Sequence, residues 1–297
     1  MTAQNDSLIR FLLPDAGVRG VHVHLSASWQ EILSHAVYPD QAAELLGEAA
    51  VASALFTGHT KVDGRLSIQL RSSSALRALF AECTAAGTLR GIVQLSDGGD
   101  APRDLTTLGD DALLAITIEN PGLDPREPQR YQSLVGLTAP ALDEAFEDYF
   151  RQSEQLPTRL LLVADRHGAA GLMLQKLPGD EGDEDGWARA SALFETLSKA
   201  ELLATPAADL LHRLFHEESP TLVGEKALRF GCSCSRERVA GMLQSLGEEE
   251  ARAAAEPDGV VEIRCEFCGR EYHFPLTEFG ILFSSNGELL PAPERLQ

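Results

Sequence analysis

The chain is sparing with positive charge, cysteine and aromatic residues. Lys plus Arg number 25 against 45 acids, a formal net charge of −20, and only five of the 297 residues are cysteine. Such an acidic balance argues against a surface built for a nucleic-acid backbone. No apolar run reaches 18 residues, so no membrane-spanning helix is expected. The opening stretch places an acid, Asp6, before its short apolar run and has no small-residue cleavage site, so no signal peptide is expected. GxGxxG, GxxxxGK[ST] and GxSxG are all missing, which argues against an ATPase. What remains is ordinary globular material, 44% apolar and 24% charged, long enough for one to about two and a half domains.

The apolar pattern predicts a large first domain of mixed α and β character over 1–178, an acidic loop and then a helical stretch within 179–229, and a small C-terminal unit over 230–297. Alternation at Val21-His22-Val23-His24-Leu25, 66–70 and 89–95 reads as strands, and the runs 112–118 and 160–163 read as strands buried on both faces. His22 and His24 share one strand face with no third ligand indicated, so a partly exposed polar face is expected. Helices are expected over 40–56 and 141–155, the second with Leu142, Ala145, Phe146, Tyr149 and Phe150 on one stripe. Period alone leaves Ser74 to Thr84 undecided between helix and strand. Between Leu177 and Gly186, one proline, three glycines and five acids predict a solvated loop. Beyond it, 187–217 is helical and amphipathic. Ser198 and Glu201 fit a capping box, Thr205-Pro206 fits an N-cap with proline at the first helical position, and Leu210, Leu211, Leu214 and Phe215 form one stripe. Helices this short depend on packing, which makes the segment a plausible conditional element.

Four of the five cysteines fall within 37 residues, as Cys232-Ser233-Cys234 and Cys265-Glu266-Phe267-Cys268-Gly269. Two close pairs supply the four corners of a tetrahedron, and thiolate suits zinc, so one Zn²⁺ held by Cys232, Cys234, Cys265 and Cys268 is expected. Between the pairs, Ser235 can cap a helix with Val239, Met242, Leu243 and Leu246 on its apolar face, and Gly247 can end it. A turn at 256–259 and strands ending at Cys265 and covering 271–274 complete a unit with little core, dependent on its metal. Many four-thiolate sites are purely structural. Here, however, Cys-x-Cys is an unusual spacing, and a disulfide across one residue closes a small, strained ring of the labile kind. Arg236, Arg238, Arg264 and Arg270 lie beside the pairs and favour the oxidant-sensitive thiolate.

On these residues the chain resembles the heat shock protein 33 family, redox-regulated holdase chaperones of the bacterial cytosol. The resemblance includes Arg19-Gly20-Val21, Trp29 to Leu33, Leu45 to Ala49, Asp63 to Leu66 and Leu89-Arg90-Gly91. It continues through Tyr149-Phe150, Gln155 to Arg159 and Leu211 to Glu217, and it is most specific at CSCSRERV from Cys232 and CEFCGR from Cys265. It implies an α+β core, strands within 74–84, a helical linker and a zinc domain. It implies that oxidation joins Cys232 to Cys234 and Cys265 to Cys268 and releases zinc. The zinc domain then unfolds, the linker opens, and a monomer becomes a homodimer that holds unfolding client proteins in the cytoplasm without ATP. Cys83 has no part in this, a small buried hydrophobe being its expected fate.

Two other readings use the same cysteines. A thiol–disulfide oxidoreductase would place CxxC at a helix N-terminus, whereas here it joins two strands. A nucleic-acid-reading zinc module is disfavoured by nine acids against five arginines over 230–275. His212 and His216 stand four apart but lack the glutamate of a zinc-protease motif.

Overall fold

The computed structural model describes residues 6–122, 128–179 and 182–284. Asp180 and Glu181 of the acidic run, and 285–297 of the C-terminal region, lie outside the described residues. The chain forms two compact units, 1–231 and 232–297, and is α+β.

The first unit opens with β1 (Ser7–Leu13), β2 (Val18–Leu25), α1 (Ala27–Ser34) and α2 (Asp40–His59). Next come β3 (Arg65–Arg71), β4 (Leu76–Thr84), β5 (Thr88–Leu95), β6 (Leu113–Asn120), β7 (Gln129–Val135), α3 (Leu142–Tyr149), β8 (Thr158–Ala164) and β9 (Ala169–Lys176). It closes with α4 (Gly186–Glu195), α5 (Lys199–Ala204), α6 (Ala207–Phe215), β10 (Thr221–Ala227) and the two-residue β11 (Arg229–Phe230). Two sheets result. One has the order β10-β1-β2-β9-β8 and is antiparallel throughout; the other has the order β11-β5-β4-β3-β6-β7, with β11 parallel to β5.

Helix α2 packs on both sheets. It is buried nearly all round, from Ala42 to Thr57 with one half-buried exception; its many apolar residues allow this, and its buried Glu48 is paired with Arg103. Its alanines keep it slim, and the sheet yields in turn: a Cβ on Gly171 would stand 2.5 Å from Val51 Cγ1. Leu45, Leu46, Leu55 and Phe56 join Val21, Val23, Leu66 and Ile68 in this main core.

A second core lies on the opposite face of the first sheet. There Leu202, Leu210, Leu211, Leu214 and Phe215 cover Phe11, Leu13, Val18, Leu172 and Leu174, with Phe11 and Phe215 stacked at 6.3 Å between centroids. The expected α6 stripe is thus entirely buried. Ser198 Oγ accepts from the Glu201 N–H at 3.2 Å, as its capping position predicts. The other cap differs. Thr205 closes α5, its N–H donating to the Glu201 carbonyl, and Pro206 takes the cap position of α6.

This second core also corrects the expectation for His22 and His24. They are 0% and 6% exposed, because helices more than 160 residues downstream in sequence cover the face that alternation leaves polar. Residues 74–84 are largely β4, paired with β3 and β5; strand pairing on both sides overrides the helix preference of its alanines. The helix expected over 141–155 is α-helical only to Tyr149. A π-helical turn follows at Phe150–Glu154, and Gln155 takes φ 55°. The acidic loop is partly anchored: Arg189 pairs with Asp183, Asp185 and the buried Glu218.

The second unit contains α7 (Arg236–Leu246), α8 (Glu248–Ala253), the antiparallel hairpin β12 (Val260–Arg264) and β13 (Glu271–Pro275), and α9 (Phe279–Ser284). Ser235 Oγ accepts from the Arg238 N–H at 3.3 Å, and Gly247, at φ 98°, ends α7. Its core is small: Leu243, Ala251, Val261, Tyr272, Phe274 and Phe279. Of the expected α7 face, Leu243 is buried and Val239 and Met242 are half-buried, but Leu246 is exposed. The chain turns at Gly247, so nothing among the described residues covers the last position of the stripe.

Candidate metal centre

The two cysteine pairs reach one place by different local means. Cys232 and Cys234 lie in the extended lead-in to α7, which Ser235 caps. Cys265 follows β12 and Cys268 sits in the turn to β13. That turn closes because the Gly269 N–H donates to the Cys265 carbonyl at 2.8 Å and the Cys265 N–H to the Arg270 carbonyl at 2.9 Å. Gly269 stands at φ 66°, the left-handed conformation that favours glycine.

All four Sγ atoms lie within 4.8 Å of one another. Cys232 and Cys265 approach to 3.7 Å, and Cys234 and Cys268 to 3.3 Å. A tetrahedron with metal–sulfur bonds of about 2.3 Å has sulfur–sulfur edges of about 3.8 Å. Four half-buried thiols at these separations can hold a metal ion, and the donor set fits a thiophilic divalent cation. Among the described residues, no other group of three or more potential ligands converges. His212 and His216 merely lie tilted against each other across one helical turn, with Nδ1 of His216 on the His212 carbonyl. Cys83 is buried in β4, and that burial pushes its thiol up to about 12.

One contact is not visible in the cysteine spacing. Tyr272, on β13, donates its hydroxyl hydrogen to Cys234 Sγ at 3.1 Å. Burial raises the thiols of Cys232 and Cys268. For Cys234 burial acts the same way but is outweighed by hydrogen bonds from Tyr272 and the neighbouring thiols, and its pKa falls to about 7. Three of the four arginines show side-chain contacts. Arg270 interacts electrostatically with Cys234 and Cys268. Arg236 is engaged with Glu278, the His273 carbonyl and the Phe274 ring, and Arg238 with the Ser233 carbonyl. The aromatic at 272 was the available clue, since its alternation in β13 turns it toward the same side as Phe274.

A family model described as Hsp33 protein matches residues 6–275. A 33 kDa chaperonin of Ectopseudomonas mendocina is 42% identical over 300 residues, covering 98% of this chain and 99% of that protein. The 33 kDa chaperonin of Nitrosococcus oceani is 39% identical over 280 residues, 94% of each. The crystal structure of the 33 kDa chaperonin of Thermotoga maritima superposes with a TM-score of 0.72 at 20% identity, over 94% of this chain and 98% of that one, and so shares the fold.

Proposed function

Because the chain belongs to the Hsp33 protein family, we propose that it is a redox-regulated, ATP-independent holdase of the cytoplasm, a binding protein rather than a catalyst. The convergence of four Sγ atoms within 4.8 Å, on a unit with six buried core side chains, carries this reading. Cys232, Cys234, Cys265 and Cys268 would hold one Zn²⁺ in the reduced form. When bound, zinc fixes four thiolates and contributes roughly 10–16 kcal/mol of apparent binding energy, which in so small a unit is folding energy.

The switch itself is thiol chemistry. A thiolate attacks peroxide, the O–O bond breaks, and a sulfenic acid forms. Its neighbour's sulfur then displaces water, so each pair loses two electrons and two protons while one peroxide becomes two waters. The pairing is Cys232 with Cys234 and Cys265 with Cys268. Disulfides no longer donate as thiolates, so the unit loses its central tie and unfolds. The segment 179–229 opens in turn and uncovers the apolar stripe of α6 together with Phe11, Leu172 and Leu174, a surface on which unfolding clients and a second oxidised copy can settle. The net charge of −20 keeps such a surface soluble.

The deciding experiment compares the reduced, metal-loaded protein with the peroxide-treated protein as suppressors of aggregation of a heated client, while a chromophoric chelator follows the metal. Suppression confined to the oxidised form, with about one zinc released per chain, is expected. Equal suppression by both forms defeats the switch, and zinc retained after peroxide and mild heat makes the centre structural. Sedimentation of the two forms tests the monomer-to-dimer change.

A further inference from the structure

Within the first unit, a cavity of about 540 Å³ opens where the C-terminal end of α2 meets both sheets. Its polar end is Arg19 on β2. The Arg19 Nη2 donates to Gln175 Oε1 at 2.5 Å and contacts His59 Nε2 at 3.1 Å. A guanidinium has no acceptor, so His59 Nε2 must accept and its proton must sit on Nδ1. Burial, and then the charge of Arg19, hold His59 neutral, with a pKa of about 3. Gln175 spends its amide on Thr158 Oγ1 at 3.0 Å. Arg19 is therefore held by neutral acceptors.

Other inward-lying arginines of this unit meet carboxylates: Arg65 and Arg90 meet Glu82, Arg103 meets Glu48, Arg159 meets Glu147 and Arg189 meets Glu218. No carboxylate stands within 4 Å of Arg19 among the described residues, and its buried Nε has no hydrogen-bond partner among them. Guanidinium cannot escape this by losing its proton, and a desolvated cation without a counter-ion is unfavourable. At the mouth, exposed Lys61 and Glu154 offset one another and leave Arg19 as the net charge of the cavity.

The walls are of the opposite character. Phe56 and Phe150 stand edge to face at 5.3 Å, and Tyr149 and Phe150 at 5.4 Å. Leu66, Ile116 and Ile118 add to the apolar lining. The π-helical turn and the left-handed Gln155 place Phe150, Glu154 and Leu156 around the opening. Such turns recur at functional sites, and a left-handed non-glycine residue is retained only where its surroundings enforce it.

The geometry points to a binding site for an amphipathic organic anion, a carboxylate paired with the Arg19 guanidinium and joined to an apolar or aromatic body lying on Phe56, Tyr149 and Phe150. Cavities of this size and lining suit small ligands, and arginine is the side chain best suited to a carboxylate.

The test is calorimetric titration of the full-length, reduced protein with octanoate, 1-octanol, octylamine and inorganic phosphate. Octanoate is expected to bind one to one, about ten-fold or more tighter than the other three. Arg19→Gln should weaken octanoate by about ten-fold while leaving octanol within about two-fold. Ser133→Trp, which fills the cavity without touching Arg19, should remove both. The site is overturned if octanoate fails to bind, binds no tighter than octanol, or binds both variants as it binds the parent. Phosphate binding as tight as octanoate overturns the apolar half of the assignment. Should Arg19→Gln not fold, the four ligands and Ser133→Trp decide alone. The protein stays reduced throughout, so failure here leaves the cysteine switch untouched.

Discussion

The hydroxyl of Tyr272 rests 3.1 Å from the sulfur of Cys234, bringing the floor of the small core into hydrogen-bond contact with one corner of the cysteine cluster. The tyrosine ring is 7% exposed and packs with the other core side chains of the second unit. Tyr272 thus adds a polar tie between core and metal centre to the packing of Cys234 and Cys265 on that core. Tyr272→Phe keeps the ring and deletes the bond. The expected loss is about 1 kcal/mol, a roughly five-fold weaker hold on zinc in competition with a chelator, with the fold intact by circular dichroism.

Removing a ligand, or the metal itself, acts more broadly. Cys268→Ser, or chelation of the reduced protein, is expected to unfold the second unit and open 179–229, while the main core around α2 stays folded. Hydrogen exchange should show amides of β12 and β13 losing protection while those of β3, β4 and β6 keep theirs. Loss of protection throughout the chain would contradict the division into two units.

Phe215 anchors the second core against Phe11. Phe215→Ala is expected to destabilise the α4–α6 layer by about 3–5 kcal/mol. That is enough to open it without oxidation, so the reduced variant should bind a hydrophobic dye and suppress client aggregation. A reduced variant that does neither would show that this layer is not what conceals the client surface.

Acid should weaken the first unit through buried histidine. Burial, and then the neighbouring His24, lower the His22 pKa to about 3, while the unfolded chain titrates near 6.5. Between those values the unfolded state binds the extra proton. Stability is therefore full above about pH 6.5 and falls as the pH drops toward 3, by about 1.4 kcal/mol per pH unit for this group. Urea midpoints at pH 7.5 and 5.5 should differ in that direction, and His22→Gln should flatten the difference.

Arg189 joins three carboxylates, of which Glu218 alone is buried. Arg189→Ala strands Glu218 without a partner, whereas Asp183→Ala removes one exposed member. The arginine change is expected to increase proteolytic nicking near 179–186 well beyond the aspartate change.

The parts legible from sequence were those whose cause is local. The cysteine pairs lie within a few residues of each other, Ser198 and Ser235 cap the helices that immediately follow them, and the Leu210–Phe215 stripe has its own period. What escaped depends on distant partners. His22 and His24 look half-exposed until α4–α6 arrive from the far end of the unit. β10 is recognisable only through its pairing with β1, more than 200 residues earlier. The alanines of β4 favour a helix until strands flank them on both sides. Tyr272 reads as an ordinary strand aromatic, and only the hairpin's placement beside α7 aims its hydroxyl at sulfur.

The first sheet carries a separate core on each face. Peeling α4–α6 away breaks no rung of the β1-β2-β9-β8 ladder, so every backbone amide in those strands keeps its partner while one face becomes bare side chain. A surface of that kind grips by side-chain contact as long as β10 stays on β1; opening that carries β10 off as well bares the β1 edge, along which a captive chain could be zipped into cross-β.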